Sequence, residues 1–576
     1  MPTKGDQQRK ASLSRLSPAA SSSSVSSLFP SSRSLWIPAF LGALLLWAAL
    51  PPVDWWPLAW IAPLPWVWLI RRQQLPGRRP YTVLTVAGFC FWMGALHWLR
   101  LPHPVTSIGW VALSFYFAFY VPLFVGLSRV AVHRLRFPVM LAAPIVWTGL
   151  ELARAHLLTG MTMASLGHTQ YRWAELIQVS DLTGAFGVSF IVMFVAACLA
   201  RMLPDGGHRW AFWPLVPAVA LPGAALFYGH ERIGTDSGRA GLRIALIQGS
   251  VDIKLENDSL PVRQRIFREY LDLSRKALEN RSRRPELIIW PESMFPWGWL
   301  TVEPGAKKPA WYQRSDADLQ RDVESGPATM AALAKELGVP LLLGVSRVHF
   351  GLDGERCYNS AVFVSRGGEL LGRYDKMHLV MFGEYTPFVE YCPWLQHFTP
   401  LTGSAAAGDR AAAFDAAGVR LSPSICYETV LSHVIRRQVN ALAAEGREPE
   451  VLVNLTNDGW FWGSSELDLH LACGVFRAVE CRKPLLIAAN TGFSAWIDGD
   501  GRIHEQGPRR APGVIVAEPR LDGRSSWYLA HGDWFAGACL AVCGLCGFVG
   551  IYGQLRRRRQ ARATDAPDSP AGVSFG

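Results

Sequence analysis

Eight apolar runs constrain this chain more than any other feature. They lie near residues 34–50, 55–70, 81–99, 107–127, 137–157, 183–202, 209–228 and 533–553. A helix that crosses a bilayer needs roughly 20 mostly apolar residues. Several runs are shorter than that, so their boundaries are soft. Seven runs precede, and one follows, a block at 229–532 that reads as a water-soluble enzyme. The expectation is an α-helical membrane bundle of about eight spans carrying one extramembrane domain. A composition of 50% apolar and 18% charged residues agrees with that.

A net charge of +11 raises the question of nucleic acid. The arginines answer it, because they cluster beside the apolar runs: Arg71, Arg72, Arg78 and Arg79, then Arg129, Arg134 and Arg136, then Arg556 to Arg559. This is the charge asymmetry of cytoplasmic loops, so no nucleic-acid partner is expected. The loops at 71–80, 128–136 and 201–209 and the tail after 554 then share one side. The opposite loops near 51–54 and 100–106 carry only Arg100. Five segments follow: a Ser-rich tail at 1–33, expected to be disordered and cytoplasmic; a seven-span bundle at 34–228; a catalytic domain at 229–532 outside the cytoplasm; a last span at 533–553; and a basic cytoplasmic tail at 554–576. No small-residue cleavage site follows the first run, so an uncleaved span is expected.

Of ten cysteines, Cys90, Cys198, Cys539, Cys543 and Cys546 lie in apolar runs, where they read as small hydrophobic filler. Cys357, Cys392, Cys426, Cys473 and Cys481 lie in the polar block. No Cys/His pair has zinc spacing, and a disulfide within the block stays open.

The block alternates β-rich and helical stretches. Strand-like runs are Arg243–Gln248, Leu287–Trp290, Pro340–Val345, Ala361–Ser365, Val419–Cys426, Val451–Asn454 and Leu485–Ala489. Helical periodicity appears over 261–280, 327–338, 429–444 and 467–482. Such alternation predicts a layered α/β fold around a buried sheet.

Three polar residues stand at the ends of such runs. Cys426 follows a strand-like run and precedes a helical one. That position predicts a lowered thiol pKa and nearby backbone N–H donors. An inert buried cysteine is as common an outcome. Glu292 follows Leu-Ile-Ile-Trp-Pro, whose apolar flanks would desolvate a carboxylate and suit it to general-base work. Lys376 stands between Arg373-Tyr-Asp and His378, and Glu384 lies in a turn-rich loop; alone, both read as solvated surface groups. Together a base, an ammonium and a thiol are what a thioester-forming acyl enzyme needs.

The order Glu292, Lys376, Cys426, with gaps of 84 and 50 residues, resembles the Glu-Lys-Cys triad of the nitrilase superfamily. That resemblance implies an αββα sandwich. It extends to Asn454-Leu-Thr-Asn-Asp-Gly-Trp-Phe461, to Arg477-Ala-Val-Glu480 and to Asn490-Thr-Gly-Phe-Ser494. The loop from Lys376 to Pro387, the Cys-Tyr-Glu at 426–428, Ala143-Pro-Ile-Val-Trp-Thr-Gly-Leu-Glu-Leu-Ala-Arg154 and Gly184-Ala-Phe-Gly-Val188 are similar to the apolipoprotein N-acyltransferase family. The resemblance covers roughly residues 35–553.

That resemblance implies Glu292 as base, Lys376 as oxyanion stabiliser, Cys426 as nucleophile, Glu384 as a supporting carboxylate, and Tyr427 and Glu428 as shapers of the nucleophile's turn. It implies a phospholipid acyl donor, a diacylglyceryl-lipoprotein acceptor, a monomer in the bacterial inner membrane with a periplasmic site, and no metal or organic cofactor. The sequence departs from the family pattern at Gln248-Gly-Ser-Val-Asp, at Gly459 and at Ala488-Ala-Asn490. Trp297, Trp299 and Phe382 fall in stretches read as aromatic loops and are expected to form a lid at the bilayer interface. A membrane-anchored amidase and a ligand-binding transporter are the rival readings. The spans disfavour the first and the intact triad the second.

Overall fold

The computed structural model describes residues 34–204, 210–234, 238–252, 259–398 and 404–564. The expected disordered tail at 1–33 lies outside the described residues.

The polar block folds as two six-stranded sheets packed face to face. The first runs β12-β1-β2-β3-β4-β5 and the second β11-β10-β9-β8-β7-β6. The strands of the first are β1 (Ile244–Gln248), β2 (Leu287–Val302), β3 (Leu341–Gly351), β4 (Gly354–Val364), β5 (Leu370–Asp375) and β12 (Gly513–Ala517). Those of the second are β6 (Phe414–Ala416), β7 (Val419–Ile425), β8 (Val451–Thr456), β9 (Leu485–Ala489), β10 (Ala495–Ile497) and β11 (Ile503–Gln506).

In each sheet three neighbouring strands run parallel: β1, β2 and β3, and β7, β8 and β9. Residues 244–247, 287–290, 341–343, 451–453 and 485–489 are continuous apolar runs because both faces are covered, whereas β7 is interrupted by Arg420, Ser422 and Ser424. Leu246, Ile289, Leu342 and Phe363 meet Leu421, Ile425, Leu455 and Leu486 between the sheets. On the outer face of the first sheet, Ala245, Ile288 and Leu341 pack against Tyr270 and Leu333 of the helices Leu260–Glu279 and Asp316–Leu337. On the outer face of the second, Leu452, Leu485 and Ile487 pack against Val439, Leu471 and Val475 of the helices Ser432–Ala444 and Glu466–Cys481. The result is an αββα sandwich. The helix expected from 327 begins earlier, at Asp316, where Ser315 and Asp318 form a capping box.

Among the described residues, three helical stretches are long and apolar enough to cross a membrane: Thr106–His133, Ala185–Met202 and Trp534–Gln560. Trp36–Ala48 and Pro80–Ala95 are apolar but shorter. The run at 55–70 breaks into Trp56–Trp60 and Leu64–Arg71, with prolines at the start of both. Val139–His156 and Leu215–Arg232 are 18 residues each and carry Pro144 and Pro222 inside.

The ends of these helices sort into two groups. At one end, Arg71 donates to Ala200 O and Leu203 O, His133 contacts Ile70 O at 2.8 Å, and Arg134 donates to Val549 O at 3.0 Å. At the other end the bundle meets the sandwich. Asp181, fully buried, accepts from Arg482 at 2.6 Å and from Arg232 at 2.8 Å. Arg482 also donates to Gln178 Oε1 at 2.6 Å, and Trp98 stacks edge-on against Phe461.

Candidate active site

Glu292 owes its position to a break in the ladder of β2. Trp290 pairs with Leu343, but the next pairs are Phe295 with Val345. The extra residues loop out of the strand, with Ser293 at φ +57°. Opposite the loop stands Gly344, where a Cβ would lie 2.1 Å from Pro291 O and 2.7 Å from the Glu292 Cα. Only glycine permits the close approach. Asn359 Nδ2 donates to Glu292 Oε1 at 2.6 Å, and the Asn457 N–H donates to Oε2 at 2.9 Å. These partners come from both sheets and fix the carboxylate between them.

Lys376 follows β5 and is 1% exposed. Its N–H donates to Asn359 O at 2.9 Å. Its Nζ lies 2.8 Å from Glu384 Oε1 and 3.7 Å from Glu292 Oε1. Glu384 is held in turn by the Val380 N–H at 2.9 Å. Cys426 ends β7 with φ +52°, the left-handed region a non-glycine residue rarely adopts. Its carbonyl accepts from Thr429 Oγ1 at 3.0 Å and Asn454 Nδ2 at 3.2 Å.

Glu428, wholly buried, ties these pieces together. It accepts from the Ile425 N–H at 2.7 Å, from the Met377 N–H at 2.8 Å, from the His378 N–H at 2.9 Å and from Tyr374 OH at 2.8 Å. The nucleophile's turn is thereby stapled to the segment that carries Lys376. Tyr427 turns the other way. Its hydroxyl donates to Gly160 O at 2.8 Å, in the loop after the helix Val139–His156.

Burial pushes the Glu292 carboxyl above the ordinary carboxylate range, and Lys376 partly opposes that. Burial works against the Lys376 ammonium, but Glu384, Cys426 and Glu292 outweigh it and hold the lysine charged. Burial, then the Glu292 carboxylate, pushes the Cys426 thiol well above its usual value. This corrects the expectation of a lowered thiol. Cys426 is followed by a short 3-10 turn, and the helix begins only at Ser432. The resting thiol is therefore protonated, and it needs a base at the moment of attack.

Other sequence expectations land differently. Residues 295–300 are not a loop but the far half of β2. Trp297 and Trp299 pack there against the outer helical layer. Phe382 does lie in a loop, is 38% exposed and has φ +60°. Beyond it Phe388, Tyr391 and Trp394 are also exposed. All ten cysteines are free. Asn359 and Asn457 went unnoticed in the sequence. Asn457 lies inside a quoted motif, whereas nothing in Tyr358-Asn-Ser marks Asn359. Among the described residues Asp458, Glu466 and His470 bring donor atoms within 4.8 Å of one another. Asp458 and His470 there bond to each other and to the Thr456 and Thr429 hydroxyls, so the cluster reads as a hydrogen-bonded chain.

A buried carboxylate and ammonium beside a half-buried thiol, where two sheets of an αββα sandwich meet, define an enzyme of the carbon–nitrogen hydrolase, or nitrilase, class. The family model for carbon-nitrogen hydrolase matches residues 243–528, and that for the apolipoprotein N-acyltransferase N-terminal domain matches residues 42–198. The chain belongs to the apolipoprotein N-acyltransferase family. It is 31% identical over 550 residues to the apolipoprotein N-acyltransferase of Rhodopirellula baltica, covering 87% of this chain and 95% of that one. It is 33% identical over 518 residues to that of Geobacter metallireducens, covering 87% and 92%. An amidase from Nesterenkonia sp. overlaps 52% of this chain and 99% of its own at 18% identity, with a TM-score of 0.34.

Proposed function

We propose that the chain moves an acyl group from a membrane phospholipid to the α-amino group of the N-terminal S-diacylglyceryl-cysteine of lipoproteins, through a thioester on Cys426. The observation that carries this reading is the group of buried Glu292 and Lys376 with half-buried Cys426 in a chain of the apolipoprotein N-acyltransferase family.

Glu292 takes the proton of the Cys426 thiol, and the sulfur attacks the phospholipid ester carbonyl. Lys376 holds the developing oxyanion. The ester C–O bond breaks, Glu292 returns the proton to the departing oxygen, and lysophospholipid leaves. The acceptor amine then attacks the thioester, its proton passes to Glu292, and the Cys426 sulfur leaves and is reprotonated. Glu384 holds the ammonium, and Glu428 holds the nucleophile's turn. Phe382, with Phe388 beyond it, covers the acyl chain at the bilayer surface. No metal or organic cofactor enters the scheme.

Eight spans in the bacterial inner membrane, with residues 229–532 in the periplasm and both termini cytoplasmic, fit this chemistry. The grouping of Arg71, Arg129 and Arg134 at the end remote from the sandwich supports that orientation. Purified protein incubated with labelled phospholipid is expected to carry the acyl group on Cys426, and Cys426→Ser to lose the hydroxylamine-sensitive label. Label on Cys357 or Cys392 instead would overturn the assignment.

A further inference from the structure

A buried polar chain runs from the nucleophile's turn into the helical layer, and the reaction scheme leaves it unused. Thr429, His470, Asp458 and Glu466 are each at most 3% exposed. Thr429 Oγ1 lies 3.0 Å from Cys426 O and 2.9 Å from His470 Nε2. His470 Nδ1 lies 3.2 Å from Asp458 Oδ1 and 4.0 Å from Glu466 Oε1. Asp458 Oδ1 also accepts from Thr456 Oγ1 at 2.7 Å. Behind Asp458, a Cβ at Gly492 would come within 2.1 Å of Oδ2, so the aspartate is packed against backbone that only glycine supplies.

The protons in this chain can be assigned. The Cys426 carbonyl only accepts, so it takes the single Thr429 hydroxyl proton. His470 Nε2 must then donate to Thr429 Oγ1. The Asp458 carboxylate accepts at Nδ1, so that nitrogen donates too. A histidine that donates from both nitrogens is an imidazolium, and its charge offsets the buried Asp458 carboxylate, while burial and then Asp458 push the Glu466 carboxyl well above the ordinary carboxylate range. Burial opposes the charged ring, but Asp458 outweighs it and holds His470 above the usual histidine value. Asp458 is also one of the groups that push the Cys426 thiol upward.

We propose that Thr429 and His470, anchored by Asp458, are positioning residues for acyl transfer: the hydroxyl and the imidazolium grip the Cys426 carbonyl and hold the left-handed backbone that presents the thiol to Glu292. A left-handed cysteine persists only where its surroundings over-determine it. The grip on the carbonyl supplies that determination from one side, and Glu428 on the Ile425 N–H supplies it from the other. The inference rests on Cys426 being the nucleophile.

The test uses full-length protein in phospholipid vesicles, with single-turnover acylation of Cys426 followed by mass spectrometry. Thr429→Val keeps the shape and deletes the hydroxyl. It is expected to slow acylation about tenfold, as the loss of one buried hydrogen bond would, with the phospholipid KM unchanged. Thr429→Ser is expected to restore the rate. His470→Gln keeps a donor at the Nε2 position and is expected to retain most of the rate. His470→Asn keeps only the Nδ1 position and is expected to lose it.

Alkylation of Cys426 by iodoacetamide, mapped by peptide, gives a second readout. The groups facing His470 are Asp458, Glu466, the Thr429 hydroxyl and, farther off, Glu292. Without the imidazolium the Asp458 charge is uncompensated, so the alkylation profile of His470→Asn is expected to move to higher pH. That of Thr429→Val should stay in place. Wild-type acylation by Thr429→Val, failure of Ser to rescue, or equal acylation rates of His470→Gln and His470→Asn would overturn the proposal. Acylation of Cys426→Ser protein would instead overturn the nucleophile on which it rests.

Discussion

Lys376 serves two neighbours at once, and its removal should show in two ways. An ammonium 3.7 Å from Glu292 lowers that carboxyl, against the larger upward push of burial. Glu292 must be ionised to accept the thiol proton, so activity falls as pH drops through its raised pKa. Taking the cation away raises that pKa further, so the acid limb of the pH–rate profile of Lys376→Met is expected to move to higher pH. The same change removes the oxyanion partner, which should slow acylation ~100-fold at the usual cost of one such donor. Phospholipid binding should change little. Rate constants for acyl-enzyme formation, collected across pH, check both effects. An unmoved acid limb would separate Lys376 from Glu292.

At the scale of the element, β2 is a strand interrupted to deliver one carboxylate. Its two halves pair with β3 in different registers, and the residues between them carry Glu292. Gly344 is what lets the looped segment lie against β3. Gly344→Ala would set a methyl group 2.1 Å from Pro291 O, so either β3 or the loop must shift. A displacement on the order of 1 Å at a catalytic group can cost ~100-fold in rate, and overpacking costs about 2 kcal/mol. Single-turnover acylation and thermal unfolding of this variant report the two effects separately. The expected outcome is a large loss of rate with a modest fall in melting temperature. A variant with wild-type turnover would mean that the loop does not need this close approach.

At the scale of the molecule, the sandwich sits on one end of the bundle through buried polar contacts. Asp181, Gln178 and Arg482 interlock there, and Tyr427 reaches from the nucleophile's turn to Gly160. Arg71, Arg129 and Arg134 lie at the opposite end. If that end is cytoplasmic, a reporter that matures only in the cytoplasm should give signal when fused after residue 562. Inserted near residue 235 it should stay dark. Signal at 235 would reverse the orientation and place the site away from the periplasm.

The sequence by itself determined the strand cores, the apolar runs and the triad. The buried parallel strand β9 is an unbroken apolar stretch, and β1 is one as far as Ile247. Glu292 was legible because it closes an apolar stretch, Cys426 because it ends a strand-like run, and Lys376 only because the order of the three matches a known family. The aromatic stretch at 295–300 was misread as a loop, since Pro296 and Gly298 are turn formers and only pairing with β3 and packing against Phe267 keep it extended. The thiol was expected to be acidic from its place in the chain. Whether it is depends on burial and on Glu292, which arrives from the other sheet. The grips on the site likewise cross the fold: Asn359 and Asn457 on Glu292, Glu428 on two segments, and His470 through Thr429 on Cys426. Local pattern fixes where a strand ends. Which groups meet there is decided by how two sheets and a bundle close upon one another.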